Sequence, residues 1–141
     1  MKKLIWGSIL AAVVAFFIWA QVSGDQWLAE FNAERTAAAT AFYDKGLEQG
    51  KVQNQQACMD DAVKQIAQDL EATTAIDAGH YLRGCWSAAT ASEGFCADVP
   101  AYNEEATNDE KEWARFACYD LNARSDGCRL LMRQKQLFCK Q

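Results

Sequence analysis

Six cysteines, Cys58, Cys85, Cys96, Cys118, Cys128 and Cys139, are the residues of this 141-residue chain best equipped for chemistry. Thiols can exchange disulfides, hold a metal or close permanent crosslinks, and their spacing separates the three. Exchange wants a Cys-x-x-Cys pair with a lowered thiolate pKa, whereas the closest two cysteines here, Cys118 and Cys128, are ten positions apart. Zinc sites also want close ligand pairs, and the single histidine, His80, has only Cys85 near it. His80 is likewise the only candidate base for a serine or cysteine nucleophile, and no nucleophile-elbow motif accompanies it.

Acids gather at Glu104, Glu105, Asp109, Glu110 and Glu112, with Asp60 and Asp61 earlier. Such a cluster could bind a cation. No Asp-x-Asp-x-Asp-Gly loop is present, and acids at a helix start complement its dipole, so these read as helix-opening residues. The sequence thus points to no catalytic residue, no metal ligand and no cofactor. Crosslinking is the chemistry left, and an even number of cysteines suits it.

Crosslinks require an oxidising space, and the N-terminus supplies a route to one. Leu4 to Gly24 carries no charge and follows Lys2 and Lys3; a spanning helix needs roughly 20 apolar residues. The apolar run exceeds the roughly 7–15 residues of a secretory signal core, which favours an uncleaved anchor. Val22-Ser23-Gly24 is a workable cleavage site, so a cleaved, secreted form stays open. The lysines place the N-terminus in the cytosol and the residues after the segment outside it, which would be the periplasm if the cell is Gram-negative. Within the segment, Gly7, Ala11 and Ala15 form a small-residue row through which two such helices could associate, so a homo-oligomer is possible.

Beyond residue 24, 12 basic side chains face 19 acidic ones, a formal charge of −7. A net-acidic part without a basic stripe lacks the driving force for nucleic-acid binding. About 117 residues make one small domain, a size at which covalent staples help. The expected organisation is a membrane anchor at 1–24, a helical stalk at 25–50 and a cysteine-rich helical domain at 51–141.

The fold class expected is all-α, an N-terminal transmembrane helix followed by disulfide-stapled helical hairpins. Ala29, Ala33, Ala37 and Ala41 recur along a first helix to about Leu47, with Gly46 and Gly50 marking a frayed end. Met59, Ala62, Val63, Ile66 and Leu70 share a face of a second helix, about 53–70. Ala75, Ala78, Leu82, Cys85 and Ala89 do so on a third, about 74–90, which Gly79 and Gly84 weaken. Residues 92–105 lack any period and form a crossing loop. Thr107 and Glu110 have capping-box spacing and open a fourth helix, with Trp113, Phe116, Ala117 and Leu121 as its apolar side. Ser125-Asp126-Gly127 caps a last helix to the chain end. Its Arg129, Arg133, Lys135 and Lys140, with Arg124 just before it, can offset the acids of helix four.

These elements decide the pairing. Cys128 and Cys139 lie roughly 16 Å apart on one helix, beyond the about 7 Å that a disulfide permits between Cα atoms. Cys58 and Cys85 are equidistant from the turn near residues 70–73 and face each other across a hairpin. Cys118 and Cys128 flank the next turn, leaving Cys96 with Cys139. The alternative of Cys96 with Cys128 and Cys118 with Cys139 stays open.

Trp86, Phe95 and Tyr102, in or beside the crossing loop, are the residues expected to contact a protein partner. The function expected is therefore a membrane-anchored extracytoplasmic binding or assembly module. The competing readings are a small secreted inhibitor-like protein and an enzyme or ligand binder whose site has no local signature. A deep pocket at His80 with converging carboxylates would favour chemistry; a filled core with an apolar surface patch would favour a partner.

Overall fold

A computed structural model describes residues 2–69 and 71–140, with side chains from Ile9 onward. Among the described residues the chain is all-α, with five helices: α1 (Lys2–Gly50), α2 (Gln55–Gln68), α3 (Ala72–Ala88), α4 (Asn108–Asp120) and α5 (Asp126–Phe138). Internal contacts divide the chain into two units, one up to Ala37 and one from Ala38 onward.

The first unit is the apolar part of α1. An 18-residue window within Ile9–Gly50 reaches a mean hydropathy of 1.4, long and apolar enough to cross a membrane, and none of it is buried. Leu10, Phe16, Phe17, Ile18 and Trp19 are all more than 60 % exposed. Ala11 and Ala15 are exposed as well, while the surroundings of Gly7 fall outside the described side chains.

The second unit is built on two antiparallel pairs, α2 with α3 and α4 with α5, with α5 also packed on α2 and α3. Met59, Ala62, Val63 and Ile66 of α2 meet Ala75, Ala78, Leu82 and Cys85 of α3 in the core, as their spacing predicts; Leu70 lies outside the described residues. The side chain of Asn54 caps α2 by accepting from the Ala57 N–H. A short parallel bridge between Asn54 and Thr90 ties the start of α2 to the end of α3.

Three glycines act differently from the sequence expectation. Gly46 and Gly50 are buried and end no frayed segment. A Cβ on Gly46 would lie 2.0 Å from the Tyr81 carbonyl oxygen, and one on Gly50 2.2 Å from that of Cys85. Across the contact, a Cβ on Gly84 would lie 2.0 Å from the Tyr43 carbonyl oxygen. The last turns of α1 and the middle of α3 therefore touch backbone to backbone, an approach that side chains forbid. Gly84 makes α3 a packing partner, outweighing its low helix propensity.

Helix α4 begins with the expected capping box between Thr107 and Glu110, but its inward face differs from the one expected. Glu110, Ala114 and Cys118 are its buried residues. Trp113 and Ala117 flank them half-buried, whereas Phe116 is 54 % and Leu121 37 % exposed. Two anchors, the Cys118–Cys128 disulfide and the buried ion pair of Glu110 with Arg133, fix the rotation of this helix against the preference of its apolar residues. Ser125 caps α5 by accepting from the Cys128 N–H.

Candidate docking face

All six cysteines are paired: Cys58–Cys85, Cys96–Cys139 and Cys118–Cys128, with Cα separations of 5.7, 5.5 and 6.0 Å. These are the pairs that the hairpin spacing predicts, and they leave no thiol for catalysis or metal binding. Among the described residues no group of three or more His, Cys, Asp or Glu side chains converges as a metal site would.

Glu110 is the centre of the polar interior. Its carboxylate, 2 % exposed, accepts from the backbone N–H groups of Thr107 and Asn103 at 2.8 and 3.0 Å, from the Asn103 amide at 3.1 Å, and from Arg133 at 2.8 Å. The Thr107 N–H is the largest of the influences that hold its pKa down at about 2, against the ordinary 4.5, because donors stabilise the charged form. Arg133 also donates to the Asn103 carbonyl at 2.6 Å, and Gln136 to the Pro100 carbonyl at 3.4 Å. The knot thereby fastens the crossing loop to α4 and α5. Of the basic residues expected to offset α4, only Arg133 does so by an ion pair among the described residues. Arg129 pairs within its own helix with Asp126, and Arg124, Lys135 and Lys140 lie over the rings of Tyr119, Phe95 and Tyr102.

The three aromatics singled out in the sequence are placed as follows. Phe95 is 4 % exposed. Trp86, half-buried, lies between Phe95 and Phe138, with ring centroids 4.8 and 4.6 Å away. Tyr102, half-buried, carries the Arg133 guanidinium 4.4 Å from its ring. The Cys96–Cys139 bond joins loop and chain end beside this stack.

His80 is half-buried in an open groove of about 320 Å³ between α3 and α5. Among the described residues no carboxylate lines it. Ile76, Arg83, Leu130, Arg133 and Leu137 do, with Tyr102 at one margin. Gln134 spans its floor by donating to the Gly79 carbonyl at 3.0 Å. A second hollow of about 300 Å³ adjoins it and shares Ala75, Ile76 and Leu130, so these residues form a ridge between the two. Ile76, Leu130 and Leu137 are 49, 58 and 46 % exposed.

Beneath this ridge lie the buried side chains of Ala78, Leu82, Leu131 and Met132, and no buried side-chain nitrogen or oxygen among the described residues lacks a hydrogen-bond partner. An exposed apolar ridge is a surface that another apolar surface could cover. The ridge residues were missed in the sequence, yet Leu130-Leu131-Met132 carries a signal. At 100° per residue three consecutive apolar side chains sweep about 200°, more than one buried stripe, so one end must emerge. Leu131 and Met132 are buried and Leu130 emerges. No family model matches the chain, and no curated protein or solved structure is significantly similar to it.

Proposed function

We propose that the unit from Ala38 onward is a binding or assembly module held outside the cytosol by α1, with the N-terminus on the cytosolic side. The three disulfides and the long apolar helix are compatible with an extracytoplasmic or secreted module. The observation that carries the binding reading is the ridge of Ile76 and Leu130, with Leu137 beside it in the groove, each about half exposed above a core in which no buried side-chain nitrogen or oxygen among the described residues lacks a partner. Water around such side chains is released when another apolar surface covers them, a gain of about 25 cal/mol per Å² buried. The function is thus to hold something, with α1 fixing where.

Crosslinking in intact membranes followed by capture through a tag on the full chain tests this. The expected result is a crosslinked protein species that disappears in the Ile76→Asp, Leu130→Asp double variant. Recovery of the bare monomer alone overturns the reading.

A further inference from the structure

We propose that the partner on the ridge is a second copy of this chain, paired about a two-fold axis through Ile76 and Leu130. The inference rests on the binding reading above and names the occupant.

The charged residues that line the two hollows are sorted by sign. On one side, near the starts of α3 and α5, the hollow is lined by Asp69, Glu71 and Asp126, all acidic. On the other, further along both helices, the groove is lined by Arg83 and Arg133 beside His80. The ridge residues separate the two ends and belong to both. A surface with an apolar centre, an acidic end and a basic end is complementary to itself after a half-turn. Each acidic end then meets the basic end of the other copy while the two ridges meet at the axis, which is the isologous contact of a C2 dimer.

Charge makes this arrangement selective. The chain beyond residue 24 has a formal charge of −7, so two copies repel at long range and attraction depends on opposed ends coming together. Arg133 is engaged by Glu110, Asp126 by Arg129 and Asp69 by the Thr74 hydroxyl, which leaves Arg83 and Glu71 as the charges in no ion pair and best able to reach across. Arg83 is exposed and forms no ion pair among the described residues. Glu71 is exposed, caps no backbone N–H of α3, and accepts only a long 3.5 Å hydrogen bond from the neighbouring Thr73 hydroxyl. They sit seven positions after and five positions before Ile76, so a half-turn near residue 77 brings Glu71 of each copy toward Arg83 of the other.

The test co-expresses two differently tagged copies of the full chain and measures co-purification from membranes in mild detergent. Wild-type copies are expected to co-purify. Arg83→Glu alone and Glu71→Arg alone are each expected to lower recovery about tenfold or more, since symmetry repeats every like-charge contact. Co-expressing the Arg83→Glu copy with the Glu71→Arg copy restores both contacts and is expected to restore recovery. Non-reducing mapping of the three disulfides verifies that each variant is folded, and Arg83→Gln with Glu71→Gln provides a milder pair.

Recovery unmoved by both reversals, failure of the mixed pair to recover, or wild-type copies that never co-purify would overturn the pairing. A chain that captures a different protein through the ridge, but not its own copy, overturns the pairing and leaves the binding reading intact. A chain that captures nothing fails both.

Discussion

At the scale of single residues, Glu110 is where acid should be felt first. Its folded pKa is lowered to about 2 from 4.5, so the unfolded chain takes up the proton at higher pH than the folded one. Its contribution to stability is therefore fully present above about 4.5 and lost as pH falls toward 2. Asp69, also lowered, chiefly by the Thr74 hydroxyl, adds to the same slope. Thermal melts across pH 2–7 are expected to show stability falling below pH 4.5, and Glu110→Gln should flatten that slope without abolishing it. At pH 7 the same substitution should lower Tm clearly more than Glu112→Gln, whose carboxylate is exposed in an i,i+3 pair with Arg115. An unchanged slope would show that the donors around this carboxylate, which include the Gln136 amide at 3.3 Å, do not hold the charge. The capping box at Thr107 and Glu110 was legible in sequence; Asn103, Arg133 and Gln136 around the same carboxylate were not, because they come from a loop and a helix with no local pattern linking them.

At the scale of elements, the contact between α1 and α3 is the least forgiving. A methyl on Gly84 would meet the Tyr43 carbonyl and the Leu47 amide, both backbone atoms that cannot turn aside. Gly84→Ala should cost at least about 1–3 kcal/mol by forcing the helices apart. Gly79→Ala meets only the end of the Gln134 side chain, at 3.2 Å, and should be near neutral, since a gain of up to about 1 kcal/mol in helix propensity offsets the local shift. Denaturant titration of the two variants checks the contrast; equal effects would refute the close crossing. Sequence periodicity found α3 despite its glycines, because Ala75, Ala78, Leu82 and Cys85 hold one face. It misread the glycines because propensity describes a helix alone, whereas Gly46, Gly50 and Gly84 owe their place to a neighbour. The face of α4 was misread for a related reason: Phe116 and Leu121 are apolar, but Cys118 and Glu110 have fixed partners and turn the helix their way.

For the whole molecule, three crosslinks close loops of 43, 27 and 10 residues. Chain entropy ranks their contributions at about 4, 3.5 and 2.5–3 kcal/mol respectively. Replacing each pair by alanines should therefore destabilise most for Cys96–Cys139 and least for Cys118–Cys128, measured by thermal or denaturant unfolding. The first also releases the crossing loop from the end of α5, where Phe95, Trp86 and Phe138 stack, which widens the difference. A reversed order would show that local packing, not restriction of the unfolded chain, sets the value of these bonds. The same bonds bear on location: cysteines in protein trapped by alkylation directly in cells should be unreactive until a reductant is added, and free thiols there would contradict an oxidising environment.

The sequence alone determined what depends on composition and near neighbours: an uncharged run long enough to span a bilayer, helices marked by caps and apolar periods, and one disulfide, Cys58–Cys85, set by counting residues about a turn, while the structure chose between two pairings of the other four cysteines. A hairpin's symmetry is a property of chain length, so Cys58 and Cys85 face each other whatever the details of packing. The tertiary structure decided what depends on distant segments meeting. It buried Glu110 among donors from three segments, pressed two helix backbones together at glycines, and left Ile76 and Leu130 uncovered between ends of opposite charge. Whether an apolar side chain is core or surface is set by how much of the helix its neighbours cover, and no residue carries that in its own identity.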